Sequence, residues 1–234
     1  MRDLPAALPP AERTVGQLVA ETIRGYGSDF WRILPLGLPL AVADQLSVRQ
    51  GQATQMLAYW ATLPLFVAAY VWACRVVLRA RPTLAAAAVA TLVWLPFPVL
   101  RAVFVLPALA WLAFIGLAVP AAMVERVGLR EALARGRELG TADYVHSLGS
   151  LAALVVVVGV AANALSALLH TQGDNGQRLA LFLSDAVLGP LLFVGGALLY
   201  VDQEARRVRS ARRAAVHPPL DADPAGRADP QVES

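Results

Sequence analysis

The sequence predicts an all-α integral membrane protein, with six transmembrane helices and two amphipathic helices on the cytoplasmic interface. Three observations carry this expectation. Long apolar segments recur at 30–46, 56–74, 83–100, 102–124, 145–169 and 180–201, and all but the first match the ~20 residues a helix needs to cross ~30 Å of hydrocarbon. Hydrophobic residues make up 57% of the chain and charged residues 16%, against roughly 45–50% and 25% in soluble domains. The polar minority is too small to cover a soluble domain of this size. Finally, the arginines alternate between the connections.

The arginine pattern sets the expected topology. Arg75, Arg79 and Arg81 follow the second span; Arg126, Arg130, Arg135 and Arg137 follow the fourth. Arg206, Arg207, Arg209, Arg212 and Arg213 follow the sixth, and Arg13, Arg24 and Arg32 precede the first. The opposite connections carry only Arg49, Arg101 and Arg178. By the positive-inside rule this places both termini in the cytoplasm and requires an even number of crossings. The first 29 residues lack the apolar core and cleavage site of a signal peptide, so the N-terminus is expected to stay attached.

The elements follow in order. Residues 1–13 form a polar tail. Residues 14–27 form the first interfacial helix: Val15, Leu18, Val19, Ile23 and Tyr26 share one face, and Thr14 with Gln17 has the spacing of a capping box. The 30–46 segment contains Pro35 and Pro39 and reaches Asp44 early, so it is tilted, broken or partly re-entrant. The 41 residues from Thr83 to Met123 would make a helix of ~60 Å, too long for one crossing. Pro96, Pro98 and Arg101 mark the expected fold-back. Residues 128–139 form the second interfacial helix, with Leu129, Ala132, Leu133 and Gly136 in a stripe. Each interfacial helix runs into a similar joint, Asp29-Phe30-Trp31-Arg32 and Asp143-Tyr144-Val145-His146. This is either a faint internal repeat or the common grammar of interfaces. Residues 210–234, rich in Pro, Ala and Asp, are expected to be a disordered cytoplasmic tail.

Two constellations could carry chemistry. Asp185 lies about five residues inside the sixth span, ~8 Å deep by helical rise, and Asn163 lies at similar depth on the fifth. They are read as an intramembrane polar pair, with Arg101 or His170 as counter-charge. A wet, headgroup-level Asp185 and a proton or substrate site are the other readings. At the inner ends of the last three spans stand Glu125, Arg126, Asp143, His146, Asp202, Arg206 and Arg207. They form either a clamp between helix ends or a site where arginines gather a lipid phosphate. No catalytic triad and no metal-ligand spacing emerges, and no cofactor is implied. Cys74 is the only cysteine, which excludes a disulfide within the chain. A net charge of +3 gives no support for nucleic acid as a partner.

From Pro120 onward, PAAMVERVGLREALARGRELGTADYVHSLGSL and the later GPLLFVGGALLYVDQEARRVR resemble the membrane domain fused to some bacterial glycerophosphoryl diester phosphodiesterases. The likeness rests on Pro120 with Glu125-Arg126, the amphipathic helix with its aromatic joint, and Tyr200-x-Asp202 with arginines behind it. Phosphodiester hydrolysis in that family implies a separate soluble barrel, and nothing in this chain is long enough to form one. The resemblance therefore implies a membrane module without the catalytic unit. The expected protein is a non-enzymatic, multi-pass bacterial inner-membrane protein, an accessory module associated with anionic lipid headgroups. The alternative is a small transporter or permease subunit working as a homo-oligomer or with a membrane partner.

Overall fold

Thirteen α-helices and two 3-10 turns account for nearly all of the described residues, 9–169 and 173–216 of this computed structural model, and no strand occurs among them. Helix α1 (Val15–Ser28) starts at the expected capping box. The Thr14 hydroxyl accepts from the Gln17 N–H at 3.3 Å, and the Gln17 side chain accepts from the Thr14 N–H at 2.8 Å. Thr14→Ala should cost ~1 kcal/mol, the usual loss of an N-cap. Hydrogen exchange should show it as faster exchange confined to the first turn of α1; unchanged exchange there would mean that packing alone holds the helix start.

Part of each amphipathic helix's apolar stripe faces protein, while Ile23 of the first and Leu129 of the second stay exposed. Leu18, Thr22 and Tyr26 of α1 are buried against helices described below, α11 and α13. Helix α10 (Leu129–Ala142) buries Ala132, Gly136 and Leu139 against the bundle. Gly136 sits on the backbone of Ala118, and Gly140 lies so close to the Phe114 carbonyl that a Cβ would be 2.3 Å from its oxygen. Only glycine permits such backbone contact. Both helices end at an aspartate joint, Asp29 before α2 (Phe30–Ile33) and Asp143 before α11 (Tyr144–Leu169).

The first apolar segment is broken. Helix α2 gives way to a 3-10 turn at Leu34–Gly37 and then to α3 (Leu38–Ser47). Pro35 and Pro39 each remove an N–H from the ladder, which ends regular α-helix here. The second segment is bent by 51° between α4 (Gln52–Ala61) and α5 (Leu63–Leu78). Next come α6 (Leu84–Trp94), α7 (Phe97–Val103), α8 (Val105–Ile115) and α9 (Ala118–Val124). The chain reverses at extended Phe104, three residues beyond the expected Arg101, and Pro96 only breaks α6 from α7. The last elements are α12 (Gly173–Leu188) and α13 (Pro190–Val216). Helix α13 continues six residues past Ser210, where a disordered tail was expected. Residues 217–234 with His217, and His170 at the α11–α12 connection, lie outside the described residues.

Among the described residues, four helical stretches are long and apolar enough to cross a membrane: Leu84–Val103, Val105–Val124, Tyr144–Leu168 and Asn175–Arg213. The bent α4–α5 pair makes a fifth if it counts as one span. The expected six full spans are thus not all present as regular helices, because the first segment is interrupted by its prolines.

Small residues set the close crossings. Gly195 of α13 receives the Leu154 side chain of α11. Gly37 lies against the α12 backbone, where a Cβ would stand 2.2 Å from the Ala186 carbonyl oxygen. Aromatic rings fill the centre: Trp94 stacks edge-on to Phe97 at 4.9 Å and meets Phe66 at 5.1 Å and Phe193 at 5.8 Å. The Tyr70 hydroxyl donates to the Gly116 carbonyl at 3.0 Å, which satisfies a buried donor.

Candidate functional site

Charged side chains gather at the two ends of the bundle. At the arginine-rich end, Arg206 pairs with Asp143 at 2.9 Å and also donates to the Arg13 carbonyl. Arg13 pairs with fully buried Asp202 at 2.9 Å. Arg135 is the hub of a second network and reaches Glu125 at 3.0 Å, Glu138 at 2.8 Å and Glu204 at 2.9 Å. Arg207 joins it through Glu138 and Glu204, and the Tyr200 hydroxyl donates to Glu125. The Arg135 hydrogen bond and charge hold the Glu138 carboxyl below the ordinary carboxylate range.

Among the expected cluster residues, Glu125, Asp143, Asp202, Arg206 and Arg207 are therefore tied to protein partners. His146 donates its backbone N–H to Asp143, and its Nε2 is buried with no partner among the described residues. Arg126 is exposed, with a left-handed backbone just beyond α9. Two networks divide the others: Asp143, His146, Asp202 and Arg206 belong to the first, and Glu125 and Arg207 to the second. Arg13, Arg135 and Glu204, which complete the networks, carried no distinguishing signal in the sequence beyond their charge.

A separate groove lies where α5 ends. Asp29, Arg32, Trp72, Arg75, Val76, Arg79, Ala80 and Arg81 line a space of about 640 Å³. Arg75 lies over the Trp72 ring at 5.1 Å, and the indole N–H donates to the Arg32 carbonyl. Arg79 caps α5 in a left-handed conformation, φ 52°, which turns the chain so that Arg81 returns to the same groove. Asp29 is its lone carboxylate and stands 3.6 Å from Arg32. Arg75, Arg79 and Arg81 make no ion pair among the described residues.

The opposite end holds the buried Asp185, but not with Asn163. The Asn163 amide donates to the Gly159 carbonyl of its own helix and is exposed. A polar side chain on an exposed helix face is readily satisfied by the carbonyl one turn back. Asp185 instead meets Asp44 of α3, and Arg101 pairs with that same Asp44 at 3.3 Å. The Tyr59 hydroxyl also donates to Asp44, and Arg101 lies over the Tyr59 ring at 4.4 Å. Asp44 and Arg101 were visible in the sequence as rare charges at one end of their spans. What joins them to Asp185 is the packing of broken α3 on α12.

These groups stand at one end of a partly open cavity of about 260 Å³. Its walls come from Phe66, Trp94, Phe97, Leu112, Val158 and Phe193, among other apolar side chains. Among the described residues no group of three His, Cys, Asp or Glu side chains is placed to hold a metal ion. Compared with family models, with curated proteins and with solved structures, the chain matches none.

Proposed function

We propose that this chain is a non-enzymatic, multi-pass protein of a bacterial inner membrane, an accessory module that holds anionic lipid headgroups at its arginine-rich, cytoplasmic end. The observation that supports this reading is the groove at the end of α5, with four arginines against one carboxylate. The remaining arginine clusters are largely satisfied by glutamates and aspartates of the chain itself. Arg75, Arg79 and Arg81 keep their donors for a ligand, and guanidinium forks match phosphate oxygens. Each arginine near an anionic leaflet contributes about 1 kcal/mol. Half-exposed Trp72 beside them suits the headgroup level of a membrane.

The test is protein reconstituted in phosphatidylcholine discs doped with phosphatidylglycerol, with retained lipid read by native mass spectrometry. The triple variant Arg75→Gln, Arg79→Gln, Arg81→Gln should lose the phosphatidylglycerol enrichment. Neutralising Arg206 and Arg207 should act mainly on stability. A lipid profile in the triple variant equal to that of wild type would remove the headgroup site.

A transporter or permease subunit, working as an oligomer or with a partner, is the second reading. The cavity with charged groups at one end favours it, because transport sites are built from polar groups facing a bundle interior.

A further inference from the structure

We propose that the partly open cavity is a binding site for an organic monocation with an apolar body, held through the Asp185 carboxylate. The inference concerns a different end of the molecule from the headgroup groove and stands whether or not that groove binds lipid.

The argument begins with charge. Asp44 has its partners: it accepts from the Tyr59 hydroxyl and pairs with Arg101 at 3.3 Å. Arg101 is in turn the one guanidinium at this cluster among the described residues, and it is shared with the Tyr59 ring. Asp185 is then the second carboxylate against a single cation. It is 5% exposed; its carboxyl shares a hydrogen bond with Asp44, while its Oδ2 has no partner among the described residues. Two buried carboxyls in hydrogen-bond contact hold a shared proton, and a cation that enters the cavity takes that proton's place as the compensating charge.

The walls decide which kind of cation fits. A hydrated inorganic ion needs several oxygen ligands; apart from Asp44 and Arg101, the cavity that Asp185 lines is walled by aliphatic and aromatic side chains. Phe66, Trp94, Phe97 and Phe193 present ring surfaces that attract an organic cation. They also bury its hydrocarbon portion, and the volume suits a small molecule. The cavity wall includes half-buried Gly159 and Ala162 of α11 and Val105 of α8, which is 39% exposed. These small side chains leave a lateral way in from the side of the bundle, where amphiphilic cations would partition.

The probe is benzyltriethylammonium, titrated calorimetrically into the full-length protein in lipid discs, with empty discs subtracted. N,N-diethyl-2-phenylacetamide, neutral and of similar bulk, is the comparison ligand. The expected result is saturable binding of one cation per chain, with the neutral amide binding about tenfold more weakly or less. Asp185→Asn, which keeps shape and polarity but removes the charge, should weaken the cation to a similar degree. It should leave the amide unchanged. Equal binding of cation and amide would reduce the cavity to an apolar void and overturn the proposal. So would unchanged cation affinity in Asp185→Asn, or no saturable heat above empty discs. If Asp185→Asn does not yield monodisperse protein, the comparison of cation and amide on the wild-type chain still decides.

Discussion

Gly37→Ala is expected to destabilise the bundle by at least 1–3 kcal/mol, roughly the cost of forced overpacking. An added Cβ would lie 2.2 Å from the Ala186 carbonyl oxygen and 2.6 Å from that of Asp185. These neighbours are backbone, so no rotamer change relieves the clash, and α3 must move away from α12. That displacement also separates Asp44 from Asp185. The variant should therefore unfold at lower temperature and disturb the charged end of the cavity. Gly16→Ala is the matched comparison: Gly16 is exposed in the first turn of α1 and has nothing within 4 Å. Alanine there should stabilise by roughly 0.5–1 kcal/mol through helix propensity. Thermal unfolding of both variants in one detergent reads the contrast. Equal stabilities would mean that the α3–α12 approach is slack.

Arg135→Gln should have the second largest effect. It removes the cation shared by Glu125, Glu138 and Glu204 and leaves those carboxylates facing one another with Arg207 as the nearest remaining cation. Losing one partner of a buried pair costs ~3–5 kcal/mol. The glutamates here are 29–53% exposed, which reduces the expected loss to about 1–3 kcal/mol.

The effect depends on pH with a definite sign. Arg135 lowers the Glu138 carboxyl in the folded state. The stability it contributes is present above the ordinary carboxylate value of about 4.3. It is lost as pH falls through the lowered folded value. The gap in melting temperature between wild type and Arg135→Gln should thus be widest near neutral pH and close in acid. A constant gap across the range would mean that the guanidinium acts by packing alone.

Local features proved legible wherever the cause was local. The Thr14–Gln17 capping box appears with both hydrogen bonds because two side chains three residues apart suffice to form it. The stripes of α1 and α10 appear at the predicted periodicity for the same reason. Their surroundings were not legible, since an apolar face reads alike whether lipid or protein covers it. The fold-back was expected at Pro96, Pro98 and Arg101 because proline and charge mark turns. The chain reverses at Phe104, where no special residue stands.

The candidate sites divide in the same way. Asp185 stood out as a carboxylate within an apolar run, and Arg101 as a plausible counter-charge. Asn163 was paired with Asp185 by matched depth on adjacent helices, but depth carries no information about which way a helix faces. Asp44 was read as the end of a marginal span, and packing made it the second acid of the cluster. Arg75, Arg79 and Arg81 were visible as topology markers. Their convergence with Arg32 follows from the turn at Arg79 and the placement of α2 beside the end of α5.

The helical class, the apolar segments, the capping box of α1 and the gathering of most arginines toward one end could all be read from the residues alone. These depend on composition, on residue period and on neighbours a few positions apart. Which arginines are neutralised by acids of the chain, and the meeting of Asp185 with Asp44 at one end of a largely apolar cavity, came from tertiary packing. Those outcomes depend on the rotation and crossing of helices far apart in sequence. Backbone contacts at glycines such as Gly37 and Gly140 set that geometry.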